Sequence, residues 1–390
     1  MNIGIDVVEN ARIKEVYSKH DDKFLEKMFT KLEIDYIKSR NNSIETISGL
    51  FSAKESVAKA LGKGFGPDVN FHDIEIRHEE SGAPYAIYKG MKMSISISNE
   101  KDYSISIAIS DSGVNFVIPD EIINIVIPRD KYGHKGTFGK TMVIAGSLGM
   151  IGAGYLSSNA ALKSGCGLVY HYVPDEILDA MSLKQVEVIV KRYTDLINDY
   201  GYMDSILVGP GIGIGKANYN KNLAMLKEII KTDKKVLIDA DGLTILAENM
   251  DLLEESNADI IMTPHFGEFQ RLMGRTISKD EDLLEISINF AKENSCVLVQ
   301  KGHNTVVTNG SEFYVNNTGN SGMATAGSGD VLSGIISGLL AQGYETFEAA
   351  KLGVYIHGLS GDIAAEKKSE HSMVASDILE CLGQAFKLII

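Results

Sequence analysis

The chain reads as a small α+β unit followed by a larger, doubly wound α/β domain, and three observations predict this. Its 390 residues are about two to three times the length of a common domain. In the first third, charged helical patterns precede alternating strands such as YSISIAIS at 103–110, an order typical of α+β folds. From about Val126 the short apolar runs TMVIAG, SILVG, KVLID, ADIIM and CVLVQ alternate with helical stretches, the pattern of parallel βαβ units covered by helices. Between these styles lies the turn-rich DSGVNF at 111–116, which places the boundary near 113–125 and the domains at 1–115 and 123–390.

Composition bounds the function. Hydrophobic residues make up 44% and charged residues 23%, with 7 Pro and 38 Gly, as in a folded globular protein. The net charge of −14 argues against nucleic acid or an anionic membrane as the main partner, so anionic substrates need local sites. MNIGIDVVEN lacks the basic segment and long apolar stretch of a secretion signal, and no run reaches the ~18 apolar residues of a membrane span. A cytoplasmic protein is expected. Cys166, Cys296 and Cys381 are far apart and form no CxxC, which points to buried thiols rather than a disulfide framework or zinc site.

In the first part, an opening strand NIGIDVV carries Asp6. Charged helical patterns follow at 23–39 and 43–61, and the strands ISISN and YSISIAI close the unit. Glu55 lies in FSAKESVAKALGKG beside Lys54, Lys59 and Lys63. Two readings stand. Carboxylates with room for water hold Mg²⁺, and nearby lysines hold the phosphates that the metal bridges. Glu55 and Lys59 are also spaced i,i+4, the arrangement of an exposed helix-face ion pair.

In order, GIDVVENARI, FTKLEIDYIKS, FSAKESVAKALGKG, HDIEIRHEESGAPY and SISISNEKDYSISIAI resemble the holo-acyl-carrier-protein synthase family over residues 1–112. The resemblance implies transfer of 4′-phosphopantetheine from coenzyme A to a serine of acyl carrier protein, with Mg²⁺ on the pyrophosphate. Asp6 and Glu55 match its metal-binding acids, which makes Glu55 a catalytic candidate, and Lys59 matches its coenzyme A phosphate contact. Two positions depart from the family: Leu50 stands where it has Arg, and Asn99 where it has His. Both lose a charged or titratable group near the expected coenzyme A site.

In the second part, TAGSGDVLSGIISGLLAQG at 325–343 combines glycines that permit close backbone approach with a following helix, whose free amides can hold an anion. Asp330 falls in its first turn, where an acid serves either as a helix-start residue or as a group for phosphate chemistry. VGPGIGIG at 208–215, DADGL at 239–243 and TPHFGEF at 263–269 follow apolar runs and are strand exits, where ligands of open α/β sheets bind. His265 and Glu268 read equally as a helix start or as ligands. Lys301 in LVQKGHNTVV sits in a turn, where a lone lysine is usually solvated. GSLGMIGAG does not fit the dinucleotide fingerprint, and no GxxxxGK[ST] occurs.

Taken in order, HKGTFGK, IAGSLGMIGAG, GPGIG, DADGL, TPHFGEF, KGHNT, GNSGMATAGSGDVLSGIISGLLAQG and YIHGLSGDIAA resemble the ADP- or ATP-dependent NAD(P)H-hydrate dehydratase family over 125–390. The resemblance implies a ribokinase-like fold and repair of NAD(P)H hydrate, with ADP or ATP as co-substrate and Mg²⁺ on the nucleotide. Lys301, Gly302, His303, Asn304, Thr305 and Gly329 match its nucleotide-binding positions. Ala153, Gly211, His265 and Asp330 match its hydrate-binding positions, with Asp330 the catalytic base. The expectation is a bifunctional enzyme, lyase and transferase, forming a homo-oligomer. The alternative is a small-alcohol kinase carrying a non-catalytic N-terminal assembly module.

Overall fold

The computed structural model describes residues 2–62, 64–66, 69–79, 81–88, 90–110, 118–278 and 281–390. Lys63 and the turn at 111–116 lie outside the described residues. Contacts divide the chain into two units, Met1–Pro119 and Asp120–Ile390.

The first unit is an antiparallel sheet in the order β1 (Asn2–Glu9), β5 (Tyr103–Ser110), β4 (Met91–Asn99), β3 (Pro84–Tyr88), β2 (Ile74–His78). One long helix, Ile44–Ala60, lies across β1, β5 and β4. It does so because Ile47, Leu50, Ala53, Val57 and Ala60 recur at helical spacing and are all buried, giving one apolar stripe. Gly4 sets how close the helix comes: a Cβ there would collide with the backbone of Ser56 and Ala60. The helical pattern at 23–39 is interrupted, giving Asp22–Met28 and Lys31–Ser39. Thr30 starts the second helix with a capping box, its backbone N–H donating to Glu33 Oε2 at 2.7 Å.

The second unit is built on a sheet of β6 (Lys140–Ile144), β7 (Leu168–Val173), β8 (Ile189–Arg192), β9 (Ser205–Val208), β10 (Lys235–Ile238), β11 (Asp259–Met262), β12 (Val297–Gln300), β13 (Val306–Thr308) and β14 (Phe313–Val315). The spatial order is β14-β13-β12-β11-β10-β9-β6-β7-β8. Strands β6 to β12 pair in parallel, and β13 and β14 add an antiparallel edge. The chain winds outward from β6 through β7 and β8, then returns beside β6 as β9 and continues to β12. That reversal opens a crevice beyond the carboxyl ends of the central strands.

Helix Ser328–Ala341 packs on helix Ile151–Lys163 and is buried along most of its length. Gly334 and Gly338 allow this, since a Cβ at either would strike the backbone of Ser157 or Ala161. All three cysteines are free and buried. No described helix is long and apolar enough to cross a membrane.

Candidate active sites

In the second unit, four strand exits and one helix start converge. Gly327, in the left-handed region at φ 92°, turns the chain into helix Ser328–Ala341, a conformation glycine adopts without a Cβ penalty. No side chain caps this helix; the Ser328 amide donates to the Thr325 carbonyl at 3.3 Å, and Asp330 is not the capping acid that its position in the first turn allows. Burial raises the Asp330 carboxyl to about 6, with Asp239 and Asp241 adding to the rise and Lys301 opposing it.

Lys301 is not a solvated surface lysine. Its Nζ lies 2.9 Å from Asp239 Oδ1, with Asp239 almost fully enclosed, and a Cβ on Gly329 would sit 3.4 Å from the same Nζ. Burial alone would lower the lysine, but the charges of Asp239, Glu268 and Asp330 outweigh it and hold its pKa above the ordinary value. The ammonium thus stays charged at the start of the helix, the kind of place that suits an anion. The turn after Lys301 is closed by Thr305, whose Oγ1 donates to the Gly302 carbonyl at 3.1 Å. His303 and Asn304 project from it, exposed.

His265 forms a bridge with Lys301 across neighbouring strand exits. Its Nδ1 accepts from the amides of Gly267 at 3.0 Å and Glu268 at 3.3 Å, and Glu268 Oε2 accepts from the His265 amide at 2.8 Å. This is a helix cap on a largely exposed ring, and Nε2 lies 3.6 Å from Glu268 Oε1. Gly211 (φ 62°) approaches Ala153: a Cβ on it would lie 3.0 Å from Ala153 Cβ. Ser147 Oγ fixes that turn by donating to the Gly211 carbonyl at 2.8 Å.

Asp239, Asp241 and Ser333 are functional candidates that sequence reasoning missed. Asp241 Oδ2 accepts from the Gly213 amide at 2.8 Å, and Ser333 Oγ lies 2.5 Å from Asp239 Oδ2. The available signal was an acid directly after the apolar run of β10, at the centre of the sheet.

In the first unit, Gly4 brings helix Ile44–Ala60 against β1, so that Asp6 and Glu55 come together. Burial raises the Glu55 carboxyl, and Asp6 raises it further. Lys59 bonds Asp6 Oδ1 at 2.8 Å rather than Glu55, so the expected i,i+4 ion pair does not form. Asp6 Oδ2 is buried, with no hydrogen-bond partner among the described residues. An unpartnered carboxylate oxygen beside a second acid fits Mg²⁺, which is commonly held by one or two carboxylates while waters and substrate phosphates complete its shell. No group of three or more His, Cys, Asp or Glu suited to a metal occurs among the described residues.

Lys54 cannot serve phosphates. It is fully buried, 2.7 Å from Glu33, and donates to the carbonyls of Phe71 and Ile74, each at 2.8 Å. Leu50 points into the core at 2% exposure, so an arginine restored there would bring a charge into apolar packing. Asn99 is exposed at the end of β4 and borders Gly49 of the helix.

An open, mostly parallel sheet with an acid at a glycine-flanked helix start defines the ribokinase-like α/β class. A ribokinase-like superfamily protein from Enterococcus faecalis V583 superposes with a TM-score of 0.61 at 28% identity, covering 70% of this chain and 95% of that one. An ADP/ATP-dependent NAD(P)H-hydrate dehydratase from Bacillus subtilis, co-crystallised with ATP and Mg²⁺, shares the fold at TM-score 0.60 and 24% identity, covering 70% and 97%. The NAD(P)H-hydrate dehydratase family model matches residues 141–384, and the chain belongs to that family. Residues 2–108 match the 4′-phosphopantetheinyl transferase superfamily.

The ADP-dependent (S)-NAD(P)H-hydrate dehydratase of Neisseria meningitidis serogroup B is 38% identical over 242 residues, 61% of this chain and 81% of that protein. The bifunctional NAD(P)H-hydrate repair enzyme Nnr of Moorella thermoacetica is 37% identical over 270 residues, 65% of this chain. The matched part spans only 50% of that relative's length.

Proposed function

We propose that the second unit dehydrates NAD(P)H hydrate at the expense of ADP or ATP, and that Asp330 is its base. The observation that carries this reading is the convergence of Asp330, Lys301 and the uncapped helix start at Gly327. Hydroxide leaves poorly and phosphate leaves well. Asp330 accepts the proton of the C6 hydroxyl as its oxygen attacks the terminal phosphorus of the nucleotide, and the bond from phosphorus to the leaving nucleotide oxygen breaks. The amides of 327–329 and the Lys301 ammonium face the charge on the transferring group. Phosphate then leaves C6 as a proton leaves the neighbouring ring carbon, which restores NAD(P)H. His265, Ala153 and Gly211 line the hydrate side, and Gly302 to Thr305 with Gly329 the nucleotide side. Purified protein mixed with hydrated NADH and each nucleotide tests this by recovery of NADH absorbance.

The first unit is proposed to transfer 4′-phosphopantetheine from coenzyme A to an acyl carrier protein. Mg²⁺ supplies charge neutralisation on the pyrophosphate. Asp6 and Glu55 would hold that cation, and Lys59, already oriented by Asp6, would face the phosphates. Incubation with coenzyme A and apo carrier protein, read by mass, tests this activity.

A further inference from the structure

At the centre of the second unit, Asp239 is an acid that the reaction above leaves unused. Asp239 follows β10 directly and is 1% exposed. Gly209 makes room for its backbone, since a Cβ there would strike the Asp239 carbonyl. Both carboxylate oxygens are committed: Oδ1 to Lys301 Nζ at 2.9 Å and Oδ2 to Ser333 Oγ at 2.5 Å. Ser333 Oγ lies also 3.0 Å from the Gly329 carbonyl, so the acid is tied to the first turn of the helix that carries Asp330.

We infer that Asp239 is a positioning residue of this site: it parks the Lys301 ammonium over the helix start and sets a fixed negative charge beside Asp330, keeping that carboxylate a competent proton acceptor. Without Asp239, the lysine keeps Glu268 and Asp330 as acidic neighbours, and whatever share of its charge moves to Asp330 masks the base. The inference rests on the proposed role of Asp330. The charged groups facing Asp330 are Asp239, Asp241 and Lys301, and Lys301 in turn feels Glu268. His357, behind Ser328 at 3.3 Å, is buried and held neutral, its pKa depressed to about 4, and so adds no charge at neutral pH.

The test is the titration of Asp330, followed by carboxyl ¹³C shifts in full-length protein labelled at aspartate and assigned with Asp330→Asn. This readout needs no turnover, so loss of the dehydratase reading and loss of this inference are distinguishable. Asp239→Asn should lower the Asp330 midpoint by about one pH unit, a tenfold change in proton affinity, and shift the acid limb of kcat/KM by the same amount. Lys301→Met should raise the midpoint. If Asp239→Asn does not fold, the double variant Asp239→Asn/Lys301→Met is compared with Lys301→Met alone, and its midpoint should be the lower. An unchanged midpoint in either comparison overturns the inference, as does a shift in Asp239→Asn matched by Ser333→Ala, which removes no charge.

Discussion

Lys59 Nζ donates to Asp6 Oδ1 at 2.8 Å, across from helix to strand, and leaves Glu55 one turn away on its own helix without that partner. The lysine therefore joins the acidic pair instead of neutralising its helix neighbour. If Asp6 and Glu55 share one Mg²⁺, Asp6→Ala and Glu55→Ala should each abolish pantetheinylation, and the double variant should be little worse than either, because residues acting as a unit are not additive. Calorimetric Mg²⁺ titration with coenzyme A present checks this. Binding that survives both changes removes the shared site.

The Glu33–Lys54 pair is enclosed on all sides, and its remaining hydrogen bonds run to the backbone of Thr30, Phe71, Ile74 and Ile76. Breaking it by Lys54→Met should cost about 3–5 kcal/mol, since it leaves a buried carboxylate unpaired. Exchange of both residues for apolar ones of similar volume should recover most of that loss. Urea unfolding followed in the first unit measures both.

Lys301→Ala should raise the apparent KM for nucleotide more than it lowers kcat, because a lysine contacting phosphates supplies binding common to ground and transition states. Steady-state kinetics with ADP varied checks this, and an unchanged nucleotide KM removes Lys301 from the site.

Gly327→Ala should destabilise the second unit by about 1–2 kcal/mol, since φ 92° is left-handed and unfavourable for residues with a Cβ. That Cβ would also press on Leu156, moving the amides proposed to face phosphate, so activity should fall beyond the loss of folded protein. Thermal unfolding and kcat measured on the same preparation separate the two effects.

Strands with strong local pattern were legible from sequence: KVLID became β10 and ADIIM became β11, because buried parallel strands are short apolar runs. The break at Phe29–Thr30 was harder to see, since it depends on whether Glu33 folds back onto Thr30. At the sites, strand exits and glycine turns were visible, but partner choice was not. Lys59 could pair with Glu55 at helical spacing, and only the approach of helix to strand at Gly4 gives it Asp6 instead. Lys301 looked like a solvated turn lysine because its partner, Asp239, is 62 residues away in sequence. Lys54 looked available to phosphate for the same reason, its acid partner lying on another helix.

The pH profile should show the base. As the proposed base, Asp330 would work only when ionised, and burial with the neighbouring acids raises it to about 6, so kcat/KM should rise as pH increases through about 6 and fall away below it. An acid limb near the ordinary aspartate value would place the base elsewhere.

The most direct measurement of the central claim is recovery of NADH absorbance from hydrated NADH by the purified chain and by Asp330→Asn, with ADP and with ATP. The substitution preserves size while removing the proton acceptor. Wild-type protein should restore NADH with at least one nucleotide, and Asp330→Asn should lose more than about tenfold in kcat/KM, equivalent to more than ~1.4 kcal/mol, with its thermal transition kept. No recovery by the wild type with either nucleotide, or a variant retaining more than about a tenth of wild-type kcat/KM, would contradict the account.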